Sequence, residues 1–302
     1  MIKKNVDQKV IIVTGGGRGL GREFALSLAS HGAKVVVNDL GGDVIGVGKN
    51  ASAADKVVRE IQSLGGDAVA DYSSVTTKEG GQSICSKALE HYGQINGVIH
   101  NAGILRDKSF TKMSSEDLDA VLDVHLKGAF NVLQPAYKSM KENNWGRIVL
   151  ISSASGIFGN FGQSNYGAAK MGLLGLMRVL NAEGNTNGIL VNAIAPNAKT
   201  RMTENILGKL EDKLDPSHIA PLGTYLCSDE CNFANHIYSA GGGRIARIFI
   251  GLSSGVFFKN HTTTVDKIRN HIAEINSIDS FVVPDYATDE LKILQETLLE
   301  EG

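Results

Sequence analysis

Three residues of the sequence could together transfer a proton. Tyr166 and Lys170 lie four positions apart in the segment QSNYGAAK, so on a helix they would be neighbours on one face. Ser153 precedes Tyr166 by thirteen residues and follows an apolar run. A free tyrosine has a pKa of about 10, and a nearby ammonium favours the phenolate and lowers that pKa. The three residues therefore predict a general acid–base site in which the serine hydroxyl holds a substrate oxygen.

A glycine-rich segment, TGGGRGLG at 14–21, predicts a dinucleotide site. Gly15, Gly19 and Gly21 permit a tight turn and a close approach of the backbone to a pyrophosphate, whose charge would meet the N-terminus of the next helix. Arg18 and Leu20 complete this loop. The motif lies between a strand pattern and a helical pattern, which is the context that it requires.

Asp39 ends the second apolar run, eighteen residues after Gly21. A carboxylate there can accept hydrogen bonds from the ribose hydroxyls of an adenosine and would repel a 2′-phosphate, which favours NAD over NADP. Two alternatives stay open. Asp39 could instead cap a turn or a helix, and Arg18 could pair with a 2′-phosphate or be solvated.

A sheet is needed to bring these residues together. Continuous apolar runs predict six strands, at 9–16, 33–40, 67–75, 95–103, 146–155 and 188–196. Helical patterns at 23–32, 53–66, 114–141 and 166–184 separate some of them. The predicted fold class is α/β, a doubly wound Rossmann-type parallel sheet with helices on both faces. Such folds bind ligands at the carboxyl ends of their strands.

The pattern is less regular beyond residue 203. A helical flap is expected at 204–214, a helix at 219–230, a last strand at 236–243, and two further helices at 264–275 and 288–301. We expect a nucleotide-binding domain at 1–255. A helical C-terminal extension at 256–302 is too small to bury a good core alone, so we expect it to dock on that domain or on a partner subunit.

Composition excludes several classes of protein. The net charge of −2 over 302 residues gives no basic field for nucleic acid. No apolar run reaches the roughly 18 residues of a membrane span. Cys85, Cys227 and Cys231 are too few for a disulfide framework and lack zinc-ligand spacing, so no metal is expected. The polar start and the LLEEG end carry no secretory or address signal, so we expect a soluble protein of a reducing compartment.

The combined motifs resemble the short-chain dehydrogenase/reductase family. The resemblance covers about residues 8–245 and rests on TGGGRGLG, Asp39, NAG at 101–103, Ser153, Tyr166 and Lys170. It implies hydride transfer with a nicotinamide cofactor, Tyr166 as the general base, and Lys170 in contact with both the tyrosine and the cofactor. It also implies cofactor contacts from loops after the strands, namely from Ser74, Val75, Asn101, Ala102, Gly103, Pro196 and Asn197.

Longer segments are similar to the (3R)-hydroxyacyl-CoA dehydrogenase branch of this family, among them NAGILRDKSF, VHLKGAF and NAIAPNAKTRMT. That similarity implies NAD-dependent oxidation of a (3R)-hydroxyacyl-CoA to the 3-ketoacyl-CoA in fatty-acid β-oxidation, with Ser153 and Tyr166 at the substrate. It further implies a homodimer. The implied location is peroxisomal in a eukaryote and cytoplasmic in a bacterium.

Some points stay open at this stage. His125 stands where the family usually has a catalytic asparagine, and it could relay a proton or only pack. Six cations could meet the phosphates of coenzyme A or be solvated: Arg106, Lys108, Lys199, Arg201, Arg244 and Arg247. Alternative functions are an NADPH-dependent 3-oxoacyl reductase of fatty-acid synthesis, a hydroxysteroid dehydrogenase, and a non-enzymatic nucleotide sensor. Asp39 disfavours the first, and the intact Ser–Tyr–Lys set disfavours the last.

Overall fold

The computed structural model describes residues 6–199, 212–258 and 262–300. Contacts within the chain divide it into two units, Met1–Arg247 and Ile248–Gly302. Arg201 and most of the predicted flap at 204–214 lie outside the described residues. The expected boundary after residue 255, and the docking of the extension, stay predictions.

A largely parallel sheet forms the centre of the first unit. Its strands are β1 Val10–Thr14, β2 Lys34–Asn38, β3 Asp67–Asp71, β4 Gly97–His100, β5 Gly146–Ile151, β6 Ile189–Pro196, β7 Ile237–Gly241 and β8 Arg244–Ile248. They lie in the order β3-β2-β1-β4-β5-β6-β7-β8. Strands β1 to β7 pair in parallel. Runs of buried valine and isoleucine form these strands because branched side chains pack well on a pleated surface.

Helices cover the sheet. They are α1 Gly19–Ser30, α2 Ser52–Ser63, α3 Lys78–Tyr92, α4 Ser115–Leu122, α5 Gly128–Glu142, α6 Ala154–Ile157, α7 Ser164–Gly184 and α8 Ala220–Leu226. Each long helix buries an apolar stripe, for example Phe24 and Leu28 on α1 and Leu173 and Met177 on α7. The predicted doubly wound α/β fold is therefore confirmed.

The strand order reverses at β1. Strands β2 and β3 lie on one side of β1, and β4 to β7 lie on the other. Loops that leave the carboxyl ends of β1 and β4 therefore diverge and leave a crevice between them. This crevice is where the fold positions the candidate site.

The long helix predicted at 114–141 is interrupted. Ser114 caps α4 by accepting a hydrogen bond from the Asp117 amide at 3.1 Å. After Leu122 the chain makes a π-helical turn, Asp123–Lys127, and then continues as α5. A π turn holds one extra residue and often occurs at functional sites. Apolar periodicity alone does not reveal such a turn.

Sequence reasoning did not identify α3. Its segment KEGGQSICSKALEHY contains Gly80 and Gly81 in the first turn, which weaken the helical pattern. A Cβ on Gly81 would lie 2.2 Å from the Asn131 carbonyl oxygen of α5, so close packing between the helices favours glycine here. Tertiary contact thus overrides local propensity in this segment.

The second unit contains two short strands and two helices. Strands β9 Leu252–Ser253 and β10 Phe281–Val282 form an antiparallel pair. The helices are α9 Val265–Ile275 and α10 Ala287–Glu300, in agreement with the two predicted C-terminal helices. Thr264 caps α9 by accepting a hydrogen bond from the Lys267 amide at 3.2 Å.

Candidate active site

One cavity of about 720 Å³ lies at the carboxyl ends of the strands. Every residue that the sequence assigns to the site lines it. They are Gly15, Arg18, Gly19, Leu20, Gly21, Asp39, Ser74, Val75, Asn101, Ala102, Gly103, Ser153, Tyr166, Lys170, Pro196 and Asn197. The fold thus brings all of the predicted residues together, and the role of each one remains a prediction.

The glycine loop after β1 forms a cradle that larger residues would fill. Gly15 has a φ of +63°, which is the left-handed region that favours glycine. A Cβ on Gly21 would lie only 2.0 Å from the Gly15 carbonyl oxygen. Asn101 Nδ2 donates to that same oxygen at 3.0 Å, so the loops after β1 and β4 are joined at the cradle.

The N-terminus of α1 faces the cavity at this cradle. Arg18 occupies the cap position, and within the described residues no side chain caps the helix and no acidic residue lies in its first turn. By contrast, α3 is capped by Thr77 and α4 by Ser114. The free amides and the positive end of the helix dipole of α1 therefore remain available to an anion. A dinucleotide pyrophosphate fits this arrangement.

Asp39 directly follows β2 and contacts the glycine loop. Its Oδ2 accepts a hydrogen bond from the Gly17 amide at 2.8 Å, and its Oδ1 accepts one from the Gly41 amide at 2.7 Å. Each carboxylate oxygen retains a further lone pair for a ribose hydroxyl. Arg18 donates to the Gly42 carbonyl at 3.2 Å, so its guanidinium is held by the segment that follows Asp39. Asp39 thus serves as a loop cap and still presents a negative charge.

Ser153, Tyr166 and Lys170 come from two adjacent elements. Ser153 follows β5 and begins α6, whose Ser155 amide donates to its hydroxyl at 3.1 Å. Tyr166 and Lys170 lie in the first two turns of α7. Lys170 is 3% exposed, and its Nζ lies 5.5 Å from the centroid of the Tyr166 ring. Lys170 Nζ donates to the Ile151 carbonyl at 2.5 Å.

Burial governs the protonation of this pair. It raises the pKa of the Tyr166 phenol above its usual value, while an interaction with the Ser153 hydroxyl acts in the opposite direction. Burial also lowers the pKa of Lys170 to about 7. The predicted lowering of the tyrosine pKa is therefore wrong, because the cost of withdrawing the phenolate from water is the largest contribution.

The loops after β3, β4 and β6 complete the cavity wall. Thr14 Oγ1 accepts hydrogen bonds from the Asn101 and Ala102 amides, each at 3.1 Å. The Val75 carbonyl accepts one from Asn131 Nδ2 of α5 at 2.8 Å. The Asn197 amide donates to the Ala240 carbonyl of β7 at 2.8 Å. Hydrogen bonds to neighbouring elements therefore hold each of these loops.

Sequence reasoning missed a set of hydrogen bonds that holds the segment before Tyr166 against the loop after β4. Gln163 Nε2 donates to Asp107 Oδ2 at 2.7 Å, and Asn165 Nδ2 donates to the Arg106 carbonyl at 3.0 Å. The Lys108 amide donates to the Gly162 carbonyl at 2.9 Å. These bonds join the loop after β4 to the loop before α7 and to the first turn of α7. They connect residues far apart in the chain, so no sequence pattern could have shown them.

The segment at 40–50 also reaches the cavity. The Leu105 amide donates to the Val44 carbonyl at 2.9 Å, and Arg106 Nε donates to the Ile45 carbonyl at 3.1 Å. The segment therefore spans from Asp39 to the loop after β4. Its unusual length and its glycines are the sequence signal that could have assigned it to the site.

Arg106 is the single predicted phosphate-binding cation among the described lining residues of the cavity. Its guanidinium also lies 3.7 Å from Asp117 Oδ1. Lys108, Lys199, Arg244 and Arg247 are described but do not line the cavity. Their contact with a bound coenzyme A stays a prediction.

Other features of the structure concern disulfides, metal sites and membrane-spanning helices. Cys85, Cys227 and Cys231 are buried and form no disulfide. In the described ranges, His, Cys, Asp and Glu side chains form no cluster of three or more that could hold a metal ion. No helix of the described residues is long and apolar enough to cross a bilayer.

Comparisons with known proteins agree with this geometry. A family model described as short chain dehydrogenase matches residues 9–210. A short-chain type dehydrogenase/reductase of Mycobacterium tuberculosis is 48% identical over 274 residues, which cover 90% of this chain and 96% of that protein. Peroxisomal multifunctional enzyme type 2 of Mus musculus is 47% identical over 272 residues, which cover 89% of this chain and 37% of that protein.

A solved structure shares the fold over nearly the whole chain. Full-length peroxisomal multifunctional enzyme type 2 from Drosophila melanogaster superposes with a TM-score of 0.81 at 37% identity. The match covers 97% of this chain and 50% of that one. The chain therefore spans about half or less of these multifunctional relatives, and nearly all of the mycobacterial one.

Proposed function

The chain belongs to the short-chain dehydrogenase family, and from this premise we propose that it is an NAD-dependent enzyme that oxidises a (3R)-hydroxyacyl-CoA to the 3-ketoacyl-CoA in fatty-acid β-oxidation. It is an oxidoreductase of a family that uses nicotinamide cofactors. The observation that carries the proposal is one cavity in which the glycine cradle and Asp39 lie together with Ser153, Tyr166 and Lys170. The similarity to the multifunctional enzymes supports the acyl-CoA substrate.

The catalytic residues have distinct roles in this proposal. The Ser153 hydroxyl donates a hydrogen bond to the oxygen at C3 of the substrate and so fixes its position. The Tyr166 phenolate accepts the proton of that hydroxyl group while the hydrogen on C3 leaves as hydride. A bound NAD supplies the hydride acceptor. The phenolate fraction of any tyrosine grows with pH, and burial moves this growth to higher pH because it raises the pKa of Tyr166. Oxidation is therefore expected to be favoured at alkaline pH.

The proposed preference for NAD rests on Asp39. A 2′-phosphate at the adenosine ribose would meet a carboxylate that two backbone amides hold in place. The Arg18 guanidinium, which could offset that repulsion, is engaged by the Gly42 carbonyl. An NADPH-dependent reductase would need a cation at this position instead.

We further propose a homodimer formed through α4, α5 and α7. Apolar residues recur at every fourth position from α4 through the π-helical turn into α5, at Leu118, Leu122, Leu126 and Phe130. Helix α4 packs beside α7, on which Met171 and Val179 are 40% and 54% exposed. Gly175 lies between them, and a Cβ there would contact nothing in the described chain. An exposed apolar surface of this kind suits a second copy of the chain.

The compartment follows from the same relationship. The proposed location is peroxisomal in a eukaryotic host, by analogy with the peroxisomal multifunctional relatives, and cytoplasmic in a bacterial one.

The deciding experiment measures NADH formation at 340 nm from (3R)- and (3S)-hydroxydecanoyl-CoA, with NADP as the alternative oxidant. We expect turnover of the R isomer with NAD. The matched control is Tyr166→Phe, which removes the phenol oxygen alone and should abolish turnover while nucleotide affinity stays nearly unchanged. Turnover confined to NADPH and 3-oxoacyl substrates, or to steroids, would replace the acyl-CoA oxidation proposal. Substantial activity of Tyr166→Phe would overturn the catalytic assignment.

A further inference from the structure

A buried histidine links the two halves of the site. His100 ends β4 and is 1% exposed, and Thr14 ends the neighbouring strand β1. His100 Nδ1 lies 3.3 Å from Thr14 Oγ1, and its Nε2 lies 3.1 Å from the His125 carbonyl oxygen in the π-helical turn. Thr14 holds the cavity-lining residues Asn101 and Ala102 beside the glycine cradle, while His125 lines the cavity beside Tyr166.

The partners of His100 determine which nitrogen carries its proton. A carbonyl oxygen can only accept a hydrogen bond, so Nε2 must be protonated and donate to His125. Thr14 Oγ1 already accepts from the Asn101 and Ala102 amides, so its own hydrogen is free to be donated to Nδ1. The neutral ring with its proton on Nε2 therefore satisfies every partner. Burial and the charge of Lys170 lower the pKa of His100 to about 4, which agrees with a neutral ring.

The bond to His125 fixes a wall of the cavity. The His125 ring lies edge-on to the Tyr166 ring, with 5.1 Å between the centroids. Its Cε1 approaches Gly103 so closely that a Cβ there would be 2.4 Å away. Because the ring is held between Gly103 and Tyr166, a shift of the His125 backbone would move the surface against which the catalytic phenol packs.

We infer that His100 is a positioning residue that couples the nucleotide loop to the His125 wall beside Tyr166, through hydrogen bonds to Thr14 and to the His125 carbonyl. His100 is buried and does not line the cavity, so it would act through these two partners. The inference rests on the proposed dehydrogenase activity for its kinetic consequence, but its hydrogen-bonding pattern can be tested without turnover.

The structural test is ¹⁵N NMR of the imidazole side chains in the wild-type protein, with the His100 signals assigned by their loss in His100→Gln. We expect the His100 ring to remain neutral, with its proton on Nε2, from pH 8 down to about pH 5. A ring protonated on Nδ1, or one that titrates near the ordinary value of about 6.5, would overturn the inference. This outcome does not depend on which substrate the enzyme uses.

The kinetic test compares His100→Gln with His100→Asn. A glutamine amide can place its NH₂ near the position of Nε2 and donate to the His125 carbonyl, whereas the shorter asparagine reaches only the position of Nδ1, near Thr14. We expect His100→Asn to lose about tenfold in kcat with KM changed less than about threefold, and His100→Gln to stay within about threefold of the wild type. Nucleotide affinity should remain similar in both variants.

Equal kcat losses in the two variants, or a loss confined to His100→Gln, would overturn the positioning role. Thermal unfolding of both variants provides the folding control. If neither hydroxydecanoyl-CoA isomer is turned over by the wild type, the acyl-CoA proposal fails. The NMR result then decides the His100 inference separately.

Discussion

Asp39 is a residue whose charge can be removed with little change of shape. In Asp39→Asn, one side-chain oxygen still accepts a hydrogen bond, so only one of the bonds from Gly17 and Gly41 is lost. The repulsion of a 2′-phosphate disappears with the charge. We expect the ratio of kcat/KM for NAD to kcat/KM for NADP to fall by about tenfold to a hundredfold, which corresponds to about 1.4–2.8 kcal/mol.

Steady-state kinetics with both cofactors measures this ratio, and Asp67→Asn is the matched control. Asp67 begins β3, accepts a hydrogen bond from the Tyr92 hydroxyl at 2.8 Å and does not line the cavity. An unchanged ratio in Asp39→Asn, or an equal fall in Asp67→Asn, would remove Asp39 as the selector.

Lys170 gives the free energy of unfolding a defined pH dependence. Burial lowers its pKa to about 7 in the folded protein, whereas an unfolded lysine has a pKa of about 10.4. Between these values the unfolded chain binds more protons than the folded one, so the stability contribution of Lys170 should rise with pH. At lower pH both states are protonated, and the cost of the buried charge is fully present.

The prediction is checked by urea unfolding of the wild type and of Lys170→Met from pH 6 to pH 10. The free energy of unfolding of the wild type minus that of the variant should increase across the window from about pH 7 to about pH 10. A flat difference would mean that the folded lysine titrates near its ordinary value. Taking the difference removes contributions from the buried tyrosines and cysteines, which the two proteins share.

At the scale of elements, the hydrogen bonds around Gln163 should control substrate binding. Gln163 is 7% exposed, donates to Asp107 and accepts from Asn160 Nδ2 at 3.0 Å. Gln163→Leu removes both bonds, and because the partners Asp107 and Asn160 are exposed and can turn to water, the free energy of unfolding should fall by only about 0.5–1.5 kcal/mol. We expect KM for the acyl-CoA to rise about fivefold or more while nucleotide affinity changes little.

The comparison is with Gln62→Leu, which removes an amide that bonds the Ala68 carbonyl away from the cavity. Isothermal titration measures the affinity for NAD, and steady-state kinetics measures KM for the acyl-CoA. A Gln163→Leu variant with normal KM would show that the hydrogen bonds around Gln163 do not shape the substrate site.

The elements that sequence predicts well are those with a strong apolar pattern. The six main strands and the helices that carry the glycine loop and Tyr166 occur where predicted, within a few residues at their ends. The π turn at 123–127 was not predicted because one inserted residue barely changes apolar spacing. Helix α3 was not predicted because its glycines respond to contact with α5 and not to local propensity.

The residues of the candidate site also fall into two groups, those that the sequence could assign and those that it could not. Residues in the loops after the strands could be assigned because their types match nucleotide and acid–base chemistry, and the resemblance to the short-chain dehydrogenase family is confirmed by the comparisons. His100 and Gln163 act through hydrogen bonds to partners more than twenty residues away. The sequence contains both residues of such a hydrogen bond but does not show that they lie close together in the fold.

At the scale of the whole molecule, the proposed dimer predicts that a charge in the interface lowers the molecular mass in solution. Val179 is 54% exposed on the apolar face of α7, so Val179→Arg should place one charge from each copy in the proposed symmetric interface and yield a monomer. Size-exclusion chromatography with light scattering measures the mass directly. The control is Leu64→Arg, at a residue that is 76% exposed after α2 and should leave the dimer intact.

A wild type that is already monomeric would remove the dimer proposal. A Val179→Arg variant that remains dimeric would place the interface on another surface.

The bonds from Asn101 to Thr14 and Gly15 have a consequence for the order in which the protein folds. They join segments that are 86 and 87 residues apart, and they close the glycine cradle. Such long-range closure forms late in a parallel sheet, because the intervening strands and helices must first be ordered. A nucleotide therefore finds no complete receptor in the early folding chain. Its bound state should slow the unfolding rate of the finished protein and leave the folding rate unchanged, so that cofactor supply sets how long a molecule survives and not how quickly it is made.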